Sequence, residues 1–196
     1  MKNKNYIYYI NYLKKSFIGC LYRKFILYPF LKKFINKNDQ FLDYGCGLGL
    51  FLNSLKTYPL ASGCDINEYF AKHCISKDLD VKHIVVNNKL DYSDSFFDVV
   101  LMDNVLEHIK NPNFLISEIY RILKNNGTLI VGVPGIKGFI LDDDHKVFYD
   151  EKKLNSVFNM NNFSTTNTFH LPFFVSSKFL SKNLKSYCVY VVFKKN

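Results

Sequence analysis

No run of about 18 uncharged apolar residues occurs anywhere in the 196-residue chain, which excludes a membrane-spanning helix of ordinary length. Cysteines are few and badly spaced for staples. Those at 20, 46, 64, 74 and 188 form no CxxC pair and no even framework, so neither a structural zinc site nor a disulfide scaffold is expected, and a reducing cytoplasmic compartment fits. No small-residue cleavage site follows the opening MKNKN, so a signal peptide is not expected. Repeats and low-complexity linkers are also missing. A chain that is 48% apolar and 17% aromatic is nevertheless rich enough to fold without them.

The most informative absence is that of acid near the start. Residues 1–38 contain no Asp or Glu, yet hold Lys2, Lys4, Lys14, Lys15, Arg23, Lys24, Lys32, Lys33 and Lys37. The formal net charge is +9, so the remainder is neutral and the whole excess lies in this arm. A basic charge confined to one separable segment argues against a nucleic-acid-binding domain. Within the arm, Leu13, Phe17, Leu21, Phe25 and Tyr28 recur at helical spacing, and Pro29 should end or bend that helix before a second short one over Phe30 to Ile35. The plain reading is a helix packed over the domain. The sharper one is a peripheral contact of residues 1–36 with an anionic membrane at its inner face, or a lid over the active site. The chain thus divides into a helical extension, 1–38, and one domain, 39–196.

From residue 41 onward, short apolar strands alternate with helical runs: FLDY (41–44), ASGCD (61–65), 81–86, DVVLM (98–102) and GTLIVGV (127–133), with late strands at 163–169 and 187–193. The expected fold class is α/β, a doubly wound, mostly parallel, seven-stranded Rossmann-like sheet whose ligands bind beyond the carboxyl ends of the strands. Asp43-Tyr44-Gly45-Cys46-Gly47-Leu48-Gly49 links the first strand to a helix, and Asp65 ends the next strand, placed to accept hydrogen bonds from a ribose diol. The glycine spacing is G-x-G-x-G rather than the dinucleotide G-x-G-x-x-G. Asp43, two positions before the first glycine, would repel a pyrophosphate and attract a sulfonium or ammonium.

Together with FDVVLMDNVLEHIKNPNFLISEIYRILKNNGTLIVGVP (97–134), this loop resembles the class I S-adenosylmethionine-dependent methyltransferases, in the subgroup with a LEH motif, here Leu106-Glu107-His108. The resemblance spans roughly residues 40–170 and implies S-adenosylmethionine as cofactor. It implies binding through Asp43, Gly45, Cys46, Gly47, Gly49, Asp65, Ile66, Asn87, Asp103 and Asn104. The acceptor is expected to be a small molecule, a sugar or a lipid-linked group, with O-methylation favoured over N-methylation. No metal is expected, because Asn104 stands where quinone O-methyltransferase relatives carry an extra Glu. His145 and His108, in the loops after the fifth and fourth strands, are the candidate bases. Other readings stay open: a cofactor-binding scaffold without catalysis, and an RNA methyltransferase. The second is weakened by the neutral domain and by Asp103-Asn104-Val105-Leu106 in place of an NPPY-type tetrapeptide.

Overall fold

The structure, a computed structural model, describes residues 17–196. The basic positions 2, 4, 14 and 15 and the stripe position Leu13 lie outside the described residues. Seven strands form one sheet: β1 (Phe41–Tyr44), β2 (Ala61–Asp65), β3 (Val81–His83), β4 (Phe97–Asp103), β5 (Leu123–Pro134), β6 (Phe163–Leu171) and β7 (Cys188–Lys195). Their order is β3-β2-β1-β4-β5-β7-β6. β1 to β5 are parallel, whereas β7 runs antiparallel to both β5 and β6. The strand order reverses between β1 and β4, which places a ligand crevice beyond their carboxyl ends.

Alternation along the central strands supplies both faces of the core. Leu42, Val100 and Met102 join one apolar cluster, with Ile116, Ile119 and Ile122 of the helix α5 (Asn113–Ile122). Phe41, Val99 and Leu101 join the opposite one, with Phe51 and Leu52 of α3 (Leu50–Ser54) and Ala71 and Cys74 of α4 (Glu68–Ile75). Burying each of the larger side chains contributes about 1.5–3 kcal/mol. The remaining helices are α6 (Ile136–Ile140), α7 (Glu151–Asn159) and α8 (Lys178–Asn183).

The described part of the arm, from Phe17 onward, is helical but presents a different face from the one its spacing predicts. Phe17 and Phe25 are 73% and 64% exposed, while Leu27, Phe30, Leu31 and Ile35 are buried in the second cluster. Between α1 (Phe17–Tyr22) and α2 (Tyr28–Lys32), Arg23–Leu27 form a π-helical turn. A π turn carries one more residue than an α turn, and it lies where the outward stripe gives way to the inward one. Pro29 falls in the first turn of α2, where a missing N–H costs least. None of the described helices is long and apolar enough to cross a membrane.

The third strand is shorter than its sequence suggests. It stops at His83, and the chain turns through Asn87 at φ +59°, a conformation asparagine tolerates better than most residues. An ion-paired network anchors the segment from Leu90 to Asp94. Arg121 donates to Glu118 (2.9 and 2.8 Å), Asp94 (2.7 Å) and the carbonyl oxygens of Leu90 and Tyr92, and Glu118 accepts from the Leu90 N–H at 2.8 Å. Arg121→Ala leaves Glu118 with only the Leu90 N–H and strips the guanidinium from the Leu90 and Tyr92 carbonyls, so unfolding free energy should fall by about 2 kcal/mol. Arg121→Lys should recover only part of this, because an ammonium cannot reproduce the planar fork. Urea titration of the three proteins checks both statements.

Candidate functional site

The glycine loop leaves β1 in a series of left-handed turns, with φ +78° at Gly45, +55° at Gly47 and +65° at Gly49. Gly45 also has no room for a side chain, since a Cβ would lie 2.5 Å from Val105 Cγ2. Gly47 faces open space, with nothing within 4 Å of an added Cβ. The Gly45 and Cys46 N–H groups donate to the Cys64 carbonyl at 2.8 and 3.1 Å, tying the loop to the end of β2. Asp65 holds it from the other side, accepting from the Gly47 N–H at 2.8 Å and the Asn67 N–H at 2.7 Å.

Strand register brings three acids to this spot. Tyr44 pairs with Cys64 on one side and Met102 on the other, so Asp65 and Asp103 lie one residue further, flanking Gly45. Burial, then the nearby Asp103 and Asp65, raise the Asp43 carboxyl well above its ordinary range. Burial also raises Asp65, partly offset by the two N–H groups it accepts. Asp103 is pushed up to about 6 by burial, against hydrogen bonds from the Tyr190 hydroxyl (2.7 Å) and the Asn104 amide (2.9 Å). The site is therefore a buried concentration of latent negative charge beside a loop that is open at Gly47. That environment suits a cationic nucleoside and opposes a pyrophosphate. Ile66, 56% exposed, follows Asp65 at the rim. A small groove is lined by Tyr44, Val85, Val86, Asn87 and Asn88, apolar walls with amide groups, and Glu118 also borders it.

Beyond β4, the turn Leu106–His108 carries Glu107 fully inside the protein, and neither carboxylate oxygen has a hydrogen-bond partner among the described residues. The Glu107 carbonyl accepts from the Lys146 and Val147 N–H groups (2.7 and 3.0 Å), which pins the loop after α6 against this turn. That brings His145 to His108, with ring centroids 4.7 Å apart. His145 Nε2 stands 3.8 Å from Glu107 Oε1, and its Nδ1 hydrogen bonds to the Phe139 carbonyl at 2.9 Å. His108 Nδ1 lies 3.2 Å from Asp144 Oδ2.

The structure thus brings together the sequence candidates in two groups: Asp43, Gly45, Cys46, Gly47, Gly49, Asp65, Asp103 and Asn104 around the loop, and His108 with His145 a little further out. His170 belongs to neither; it pairs with the Tyr187 hydroxyl and Glu151. Glu107 is the residue that sequence reasoning reaches only as part of a motif. Its burial depends on a loop almost 40 positions away, which no local pattern reveals. The arm also contributes unforeseen neighbours. The Tyr22 hydroxyl is buried without a partner among the described residues and lies within the field of Asp103 and Cys188, and Arg23 lowers the Asp103 carboxyl.

Comparison with known proteins agrees with this geometry. Residues 42–131 match the family described as Methyltransferase domain. An uncharacterized protein of Methanocaldococcus jannaschii is 39% identical over 125 residues, covering 61% of this chain and 53% of its own. A ubiquinone biosynthesis O-methyltransferase of Pelagibacter ubique is 28% identical over 100 residues, covering 48% of this chain and 42% of its own. The chain spans about half the length of the curated relatives it matches. Among solved structures, a Thermotoga maritima protein described as a SAM-dependent methyltransferase, possible histamine N-methyltransferase, superposes with a TM-score of 0.74 at 20% identity, covering 95% of this chain and 96% of its own. The fold is thus shared with solved proteins described as SAM-dependent methyltransferases, residues 42–131 match a methyltransferase domain, and the cradle around Gly47 is one that a cationic nucleoside such as S-adenosylmethionine fits.

Proposed function

We propose that the protein methylates an oxygen of a small-molecule, sugar or lipid-linked acceptor, as a member of the LEH subgroup. The observation that carries this reading is the Glu107, His108 and His145 cluster at the carboxyl edge of the sheet, next to the cofactor cradle. S-adenosylmethionine, when bound, supplies an electrophilic methyl on a sulfonium. Asp65 would receive the ribose diol, Gly47 and Cys46 would lie along the nucleoside, Ile66 and Asn87 would border the purine, and Asp43 with Asp103 and Asn104 would face the cationic end. The chain's own residues then hold the acceptor oxygen in line with the methyl, and positioning supplies most of the rate. A hydroxyl must also lose its proton, and the imidazole cluster is where it does so. The Nδ1–H of His145 is committed to the Phe139 carbonyl, which leaves Nε2 with its lone pair toward the cluster. A ubiquinone O-methyltransferase among the relatives supports an oxygen acceptor.

The part of the arm from Phe17 onward borders this site. Tyr22, Arg23 and Tyr28 all lie within the field of Asp103 or Asp43, and the residues that follow them are buried in the core. It acts as a fixed cover on the cationic end of the cradle.

Three outcomes test the proposal. Calorimetry should show S-adenosylmethionine binding, with Asp65→Ala weakening it by about 2 kcal/mol, roughly 30-fold, for the loss of a charge-assisted contact. NAD binding more tightly than S-adenosylmethionine would overturn the assignment.

Affinity should also depend on pH. In the free protein Asp103, faced by Tyr190 and Cys188 from β7, Arg23 and Tyr28 from the arm, Asp43 from β1 and Glu107 from the next turn, holds its proton up to about pH 6. A cationic ligand favours the ionised form and so displaces that proton on binding. Affinity should therefore rise as pH increases from about 5 to 7 and level off above, and Asp103→Asn should flatten the rise. A flat profile in the parent protein counts against contact between this carboxyl and the cofactor.

With an oxygen acceptor in hand, His145→Ala should lower turnover by about 10²- to 10⁴-fold while cofactor affinity holds. Unchanged turnover in both His145→Ala and His108→Ala would point to an amine acceptor that needs no such group.

A further inference from the structure

We propose that Cys46 and Cys74 form a peroxide-sensitive thiol pair whose closure to a disulfide takes the glycine loop out of its cofactor-binding shape. The inference rests on the S-adenosylmethionine reading of the cradle and adds a control on it. A resting dithiol agrees with the lack of a disulfide scaffold and with a reducing compartment, where disulfides are transient and sensory.

The two residues come from different elements. Cys46 lies within the glycine loop, and Cys74 is the penultimate residue of α4. Both are free thiols, and they share a hydrogen bond. Cys74 also donates to the Gly47 carbonyl at 3.4 Å, so its sulfur lies against the loop. Two glycines keep the surrounding space clear of other side chains. A Cβ on Gly49 would lie 2.8 Å from Cys74 Sγ, and one on Gly63 of β2 would lie 3.1 Å from Cys46 Sγ.

The pair is chemically unequal. The hydrogen bond between them lowers the Cys74 thiol below its ordinary value and raises Cys46 above it. Cys74 is therefore the nucleophile and Cys46 the resolving thiol. Cys74 is buried, but the loop over it is open at Gly47, and hydrogen peroxide is hardly larger than water. The Cys74 thiolate, its proton given to solvent, attacks one peroxide oxygen. The S–O bond forms, the O–O bond breaks, and the departing hydroxide takes up a proton as water. The Cys46 sulfur then attacks the sulfenic sulfur. The S–S bond forms, the S–O bond breaks, and the hydroxyl leaves as a second water with the Cys46 proton. The sulfurs give up two electrons in all, and the peroxide is reduced.

Closure reaches the cradle through bond length. A disulfide holds its sulfurs about 2.05 Å apart, far inside any thiol–thiol hydrogen bond, so Cys46 must move toward α4. It also removes the proton that Cys74 donates to the Gly47 carbonyl. The Cys46 N–H bonds to the Cys64 carbonyl, and the neighbouring Gly47 N–H bonds to Asp65. A shift of Cys46 disturbs both of these bonds, which shape the cradle.

The test uses the full chain, hydrogen peroxide as oxidant and dithiothreitol for reversal. Trypsin cuts after Lys37, Lys56, Lys72 and Lys77, so Cys46, Cys64 and Cys74 leave on separate peptides and mass spectrometry reads the pairing. Peroxide should link the Cys46 and Cys74 peptides and lower S-adenosylmethionine affinity by about tenfold or more, an ordinary size for coupling between two sites. Dithiothreitol should reverse both changes. Cys74→Ala, or Cys74→Ser should the first fail to fold, should match the reduced parent in affinity and keep that affinity in peroxide. No link between these two peptides, a link that leaves affinity unchanged, or an affinity loss that persists in the Cys74 variant each overturns the proposal. Failure of the reduced parent to bind S-adenosylmethionine would instead overturn the methyltransferase reading, while the peptide map still decides whether the pair closes.

Discussion

Negative charge gathered at a single place in a low-dielectric interior is the condition on which the rest of this molecule depends. Asp43, Asp65, Asp103 and Glu107 all sit at the carboxyl end of the central strands, and burial raises every one of them. A fold does not concentrate such groups for its own stability, because each ionised carboxylate loses solvation on burial. The arrangement makes sense as the complement of a cationic guest. The parallel register of β1 with β2 and β4 is what sets the spacing, and the glycines of the adjoining loop let the guest approach the backbone. The supporting parts serve the same end: Tyr190 and Asn104 steady Asp103, the Gly47 and Asn67 amides steady Asp65, and Arg121 anchors the segment next to the groove at Val85 to Asn88.

How much of this can be read from residues alone depends on the range of the interaction. The loop from Asp43 to Gly49 is legible because its cause is local: glycines permit left-handed turns, and all three of its glycines adopt them. The central strands are legible because a strand buried on both faces must be largely apolar, as Phe41-Leu42 and Val99 to Met102 are. Asp103 and Asn104 can be placed at the end of β4 because the end of a strand is a local property. The arm is misread from its spacing where its helix changes register. Phe17, Leu21 and Phe25 form a regular stripe, but the surface that would cover a stripe is decided by distant elements, and a π turn gives the inward role to Leu27, Phe30 and Leu31.

Glu107 illustrates the same limit at the site itself. Its neighbours along the chain say only that it opens a short turn. What isolates it from water is the loop from 142 to 147, attached through two hydrogen bonds to its own carbonyl. Residue type and proximity to strand ends single out the two histidines without showing that they touch. Their shared contact with one unpartnered carboxyl appears only in three dimensions, and it changes the chemistry from a lone base to a constellation.

The arm's anchor has a consequence for the order in which the protein can assemble. Phe30 packs edge-on against Phe169 at 4.9 Å and Tyr190 at 5.7 Å, rings supplied by the last two strands. A chain growing from its amino end on the ribosome therefore makes its basic, aromatic segment long before the surface that covers it exists. Until β7 slots between β5 and β6, Phe30 lacks the rings of the last two strands, and Asp103 lacks the hydroxyl that steadies it. Folding of this kind closes late and over long sequence separation, which makes it slow relative to helical proteins of the same size. The dense lysines of the arm, with no acid among them, keep that waiting segment hydrated and repel other copies of itself.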